Sequence, residues 1–173
     1  MSWTVGFVAL PGAIVVAIIG FAARGQQSSS RFISDRVIAG AASGLVATVA
    51  YDIARPILVW GLRVHFAPFR AHPIFGSLIT GRPRDSVLAI GVGWTYHFWN
   101  GVAFGVILAL VRPRSTWRAG LLWALVLQGS MMAIYPKLLN VRLNNPGFLA
   151  SSVVGHGLYG VVLGTSLHRR GAQ

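Results

Sequence analysis

Apolar residues occur in long runs, separated by short basic or polar stretches. A helix that crosses a bilayer needs about 20 mostly apolar residues. Five runs meet that need, at about 3–23, 37–62, 87–111, 117–135 and 148–167. The pattern predicts an all-α fold: a polytopic integral membrane helical bundle of about five transmembrane helices. It divides into an N-terminal transmembrane helix and linker over 1–31 and a four-helix transmembrane core over 32–173. A long loop at 63–85 interrupts that core. No Lys or Arg precedes Arg24, and the first run is too long for a signal-peptide core, so it reads as an uncleaved span. The segment 25–30, GQQSSS, reads as a flexible linker. Inside the long loop, 73–79 (PIFGSLI) is apolar but too short to cross, which predicts an interfacial or re-entrant segment. His65 and His72 share that loop with Arg63, Arg70 and Arg82 and are expected to face solvent or lipid headgroups. Asp85 is placed to cap the helix that follows, and Asn144-Asn145-Pro146-Gly147 to launch the last one.

Composition narrows the class. Of 173 residues, 54% are hydrophobic and 10% charged, and mean hydropathy is +0.64. A soluble domain carries roughly 25% charged residues, so the composition argues against a soluble globular enzyme, and the apolar content excludes disorder. Fifteen Lys and Arg against three Asp and Glu give a net charge of +12. Such a balance in a soluble chain would suggest nucleic acid. Here the basic residues flank apolar runs, where anionic headgroups attract them, so the lipid bilayer is the expected partner and nucleic acid is not. Arg24, Arg31, Arg36, Arg112, Arg114, Arg118, Arg169 and Arg170 fall on one side of the five-span topology. Arg63, Arg70, Arg82, Arg84, Lys137 and Arg142 fall on the other. The bias predicts a multi-pass protein of the cytoplasmic (inner) membrane, N-terminus outside and C-terminus cytoplasmic. The absence of Cys excludes disulfides, Cys-based zinc sites, iron–sulfur clusters and thiol catalysis. There is no Walker motif, dinucleotide fingerprint, HExxH or nucleophile elbow, and the only acids are Asp35, Asp52 and Asp85. Paired-carboxylate hydrolysis is therefore excluded, and no catalytic residue is assigned.

Small residues recur at helical spacing. Gly40 and Gly44, Gly101 and Gly105, and Gly160 and Gly164 each form a G-x-x-x-G pair, which lets helix backbones approach closely. They would serve a compact bundle or contacts with another subunit. Two spans extend the pattern, as His97-x-x-x-Gly101-x-x-x-Gly105 and His156-x-x-x-Gly160-x-x-x-Gly164. Gly40 and Pro56 are spaced as Gly120 and Pro136 are. A tandem helical-hairpin duplication, about 37–111 and 117–168, accounts for both; chance matching in apolar sequence is the competing explanation.

Ionisable groups inside a membrane tend to face the bundle interior. Asp52 and Arg55 lie three apart on one helical face, which predicts an ion pair. Counting about 1.5 Å per residue places Asp52, His97, Gln128 and His156 at similar depths, roughly 10–15 Å below one surface. Tyr51, Tyr96 and Asn100 lie near that level, with Tyr159 a turn deeper. The expected buried polar layer is thus Asp52, Arg55, Tyr96, His97, Asn100, Gln128 and His156. Three uses compete. The layer forms a structural hydrogen-bond network; or His97 and His156 hold haem b, or with Asp52 a metal ion; or Asp52 relays protons. The corresponding functions are a non-catalytic subunit or helper of a membrane complex or homo-oligomer, a haem- or metal-binding redox protein, and a proton-coupled carrier. Small size and the absence of catalytic motifs favour the first, in association with other membrane subunits or with itself.

Overall fold

The structure, a computed structural model, describes residues 30–139 and 145–171. The span expected at 3–23, Arg24, the linker up to residue 29, Asn144 and Arg142 lie outside the described residues, as do the side chains of Pro136 and Lys137. All regular structure among the described residues is helical: α1 (Ser30–Gly61), α2 (Ala71–Thr80), α3 (Val87–Val111), α4 (Trp117–Leu139) and α5 (Pro146–Gly171). Among the described residues, three stretches are long and apolar enough to cross a membrane: Arg31–Gly61, Val87–Val111 and Pro146–Arg170. The expected fourth span lies on α4, a helix of 23 residues that is not among those three.

Local chemistry sets the helix ends. The Ser86 hydroxyl, not the expected Asp85, accepts the Ala89 N–H at 3.2 Å and caps α3. Ahead of α5, the Asn145 side chain accepts from the Phe148 N–H at 2.9 Å, with Pro146 in the first helical position. Gly81 ends α2 with a φ of 69°, a conformation open to glycine. Pro56 does not stop α1, which continues to Gly61.

Close backbone approach defines the packing. A Cβ at Gly40 would come 2.6 Å from the Val106 Cα, and one at Gly105 would come 2.8 Å from the Gly44 Cα. These pairings run α1 antiparallel to α3. On the other side of the bundle, a Cβ at Gly160 would meet the Ala124 Cβ at 2.6 Å, and one at Gly120 would meet the Gly164 Cα at 2.8 Å. So α4 and α5 are also antiparallel. The two pairs join where α1 packs on α5. There the Ser43 and Ser166 hydroxyls hydrogen-bond at 2.9 Å, and nearby the Tyr159 hydroxyl of α5 donates to the Gly101 carbonyl of α3 at 2.8 Å. Ala47, Leu108, Ala124, Tyr159 and Leu163 fill the seam between them.

The long connection is not a surface loop. α2 folds back against α3 at glycines: Gly76 faces the Ala89 carbonyl, and Gly93 faces the His72 carbonyl. Their order makes α2 antiparallel to α3, with its N-terminus at the level of Gly93. Residues 62–70 therefore run back alongside α1 before α2 returns. Phe66 packs on Phe148 of α5, ring centroids 5.8 Å apart. His65 is exposed, as expected, but His72 is 2% exposed. The expectation that His72 faces solvent or headgroups is overturned, because the helix that it opens is packed against α3.

Candidate metal centre and adjoining pocket

Three helices bring three ligating side chains together. Asp52 comes from α1, His72 from α2 and His97 from α3. The Nε2 of His97 donates to the Asp52 carboxylate and lies 3.0 Å from each oxygen. The His72 ring lies 4.4 Å from the His97 ring, centroid to centroid. One ligand atom from each of the three lies within 4.8 Å of the others. Two ligands held 2.0–2.2 Å from one metal ion sit about 3 Å apart at a right angle and about 3.5 Å at a tetrahedral angle. The His97–Asp52 separation of 3.0 Å already matches, and a small shift of side chains would bring all three atoms, now within 4.8 Å, to ligand distances.

The surroundings hold the imidazoles in place. His72 packs against Trp94 at 4.1 Å and Phe69 at 5.6 Å between ring centroids. Its Nδ1 is buried with no hydrogen-bond partner. An unmade hydrogen bond at a buried polar atom costs about 1–3 kcal/mol, so such an atom asks for a reason. Burial first, and the charges of His97 and Arg55 second, lower the His72 pKa to about 3. The ring is therefore neutral near pH 7, with a lone pair available to a metal.

Arg55 does not pair with Asp52. Its Nε donates to the Ser151 hydroxyl at 3.2 Å, and its guanidinium donates to the Pro68 carbonyl. The same group lies over the rings of Tyr51 at 4.8 Å and Phe69 at 5.6 Å. The ion pair predicted from i, i+3 spacing is absent because His97 engages both Asp52 oxygens. Arg55 instead reaches across to α5 and to the connection before α2.

Beside the cluster lies a pocket of about 90 Å³, bordered by all five helices and by the connection before α2. Tyr51, Arg55, Tyr96, His97, Asn100 and His156 border it, together with His72. Of the expected polar layer, Asp52 and His97 are joined directly, and Tyr96, Asn100 and His156 share the pocket wall. Gln128 connects at one remove, its Oε1 accepting from the Ser152 hydroxyl at 2.9 Å. His156 stands apart from the carboxylate: its Nδ1 donates to the Ser152 carbonyl at 2.8 Å. The Tyr51 ring adjoins both histidine rings, 5.0 Å from His156 and 5.9 Å from His97 between centroids. The third side chain with a ligating atom near Asp52 and His97 is thus His72; the sequence pattern groups His156 with them instead. The His97 Nε2 is directed at Asp52, and the His156 Nδ1 at its own helix. The one sequence signal for His72 was its position just before the apolar stretch at 73–79, which carries it into the bundle.

A family model covers residues 34–173, and the chain belongs to that family, DUF6789, a family of unknown function. No curated protein matches the chain, and no solved structure does.

Proposed function

We propose that this member of DUF6789 is a multi-pass membrane protein that holds a divalent first-row transition metal ion on Asp52, His72 and His97, next to a small-ligand pocket. One observation carries the reading. Three ligand atoms from three helices lie within 4.8 Å, and among them a buried His72 has an unpartnered Nδ1. Two imidazoles and one carboxylate leave coordination positions open, as in sites where the metal meets a substrate. A bound ion would supply Lewis-acid or, if iron, redox chemistry. The chain's own residues fix the imidazoles by ring packing. On binding, His97 would release its Nε2 proton, because a metal ligand must present a lone pair.

Membrane embedding is supported by the outer faces, where Ile38, Ile53, Ile57, Trp60, Leu122 and Leu125 are all exposed. So many large apolar side chains left uncovered suit contact with lipid. The antiparallel order puts Arg31, Arg36, Arg112, Arg114, Arg118, Arg169 and Arg170 at one end of the bundle. Among the described residues, the other end carries Arg63, Arg82 and Arg84. We take the richer end as cytoplasmic, which leaves the metal cluster nearer the outer side. In that frame residues 62–70 are backbone at membrane depth, and the Arg55 bond to the Pro68 carbonyl is the satisfaction that such backbone needs. The subunit or homo-oligomer role loses one of its supports, because the six paired glycines, where they approach other backbone, do so within the chain.

Metal titration of the chelator-stripped protein in mild detergent, followed by elemental analysis, tests the reading. Zn²⁺, Mn²⁺ and anaerobic Fe²⁺ are the probes. One ion per chain is expected for at least one of them. His72→Ala, His97→Ala and Asp52→Ala should each weaken binding at least tenfold, while His156→Ala should keep it. Wild-type protein that takes up no stoichiometric ion returns Asp52 and His97 to a hydrogen-bonded pair and reopens the proton-relay reading.

A further inference from the structure

The pocket has a second chemical feature, separate from the metal ligands. Its wall carries two guanidiniums, Arg55 and Arg70, and no carboxylate. Arg70 is exposed; Arg55 is only 7% exposed. Burial of a guanidinium is costly unless an opposite charge or a full set of acceptors compensates it. Arg55 has one hydroxyl, one carbonyl and two ring faces, all formally neutral. The nearest acid in sequence, Asp52, is engaged by His97. The rest of the wall is largely apolar, with Phe66, Phe75, Phe104, Leu127, Met131 and Phe148. A volume of about 90 Å³ compares with the roughly 10–15 Å³ that one water needs by the same kind of measure, so a ligand of some six to nine heavy atoms is in scale.

We propose that the pocket binds a small monocarboxylate with an apolar body, its carboxylate paired with Arg55 and its body against the pocket phenylalanines. Arg70 draws the anion toward the opening. A guanidinium suits the task because its planar donors match two carboxylate oxygens. The inference stands on Arg55 and the apolar wall and does not rest on a bound metal. The same chemistry, one anionic group on an apolar body, could also arrive as the end of an anionic lipid.

The test uses the full chain in nanodiscs of phosphatidylcholine, metal-stripped, equilibrated with radiolabelled benzoate and hexanoate. Saturable binding of one anion per chain is expected for at least one of them. Unlabelled benzyl alcohol, the same body without charge, should not displace it at matched concentration. Arg55→Met should weaken binding at least tenfold, Arg55→Lys less, and Arg70→Gln a few-fold, each checked for an unchanged elution profile. Should Arg55→Met fail to fold, Arg55→Lys and Arg70→Gln carry the test. Repeating the wild-type measurement in phosphatidylglycerol nanodiscs separates the sources. Lost benzoate binding points to a lipid anion, and retained binding to a free one; both support the inference. No saturable binding of either anion, benzyl alcohol competing equally well, or binding unchanged in every folded arginine variant would overturn it. Asp52→Asn, which removes a proposed metal ligand, should leave metal-free anion binding in place. Failure of the metal reading is thereby distinguishable from failure of this one.

Discussion

His72 separates a ligand from a core residue in a way that can be measured. Its ring is enclosed by Trp94 and Phe69, yet Nδ1 has no partner. A phenylalanine has nearly the same shape and no polar atom to leave unpaired. If the imidazole is there to bind a metal, His72→Phe should leave metal-free thermal stability equal or raise it, while lowering metal affinity at least tenfold. Removing a buried unsatisfied group is close to neutral or favourable when the shape is kept, and stability gained at a binding site commonly accompanies lost function. A drop of several degrees in the metal-free protein would instead mark His72 as a structural residue. Asp52 and His97 were legible in the sequence because each is polar inside an apolar run. His72 was not, since nothing local shows that a ten-residue helix will be drawn into the bundle. Nor could spacing alone show that Arg55 would contact Ser151 and Pro68 and not Asp52; that depends on which groups other elements bring to the carboxylate, and His97 comes from another helix.

Between helices, the decisive quantity is how near two backbones come. Gly105→Ala would put a Cβ 2.8 Å from the Gly44 Cα, an atom that cannot rotate away. Overpacking of this kind costs typically about 1–3 kcal/mol. Gly105→Ala should therefore lower the thermal unfolding midpoint in a fixed detergent. Gly91→Ala, whose Cβ would meet nothing within 4 Å, should leave it unchanged or raise it, because alanine is the better helix former. Equal effects from the two would deny the close crossing of α1 and α3. Gly93→Ala probes the site from its support. Its Cβ would press on the His72 carbonyl, pushing α2 away from α3, so metal affinity should fall although no ligand is altered. The glycine pairs were visible as a spacing, but spacing does not say which surface they meet. Only the fold shows Gly40 and Gly44 meeting Gly101 and Gly105 within the chain.

At the scale of the molecule, the site belongs to one half of the sequence. In the register where Gly40 matches Gly120, Asp52 falls on Met132. The connection that carries α2 between α1 and α3 has no helical counterpart among the described residues between α4 and α5. His156, the counterpart of His97 by its glycine pattern, thus has neither a carboxylate nor a second imidazole to join, and settles on the Ser152 carbonyl. The sequence places these polar residues at one depth, but the meeting of Asp52 and His97 with a second imidazole depends on α2 as well as on Asp52. That arrangement makes orientation consequential, because the cluster lies nearer the end of the bundle where α1 finishes and α3 begins. The chain has no Cys, so single cysteines can be placed without a background. Arg84→Cys, between α2 and α3, should react with a membrane-impermeant maleimide on intact spheroplasts. Arg114→Cys, between α3 and α4, should react only after permeabilisation. The reverse pattern would invert the protein and put Asp52, His72 and His97 nearer the cytoplasmic face, where a proposed metal would exchange with the buffered cytosolic pool. Labelling of both from outside would mean that α3 does not cross, and would remove the depth on which the polar layer depends.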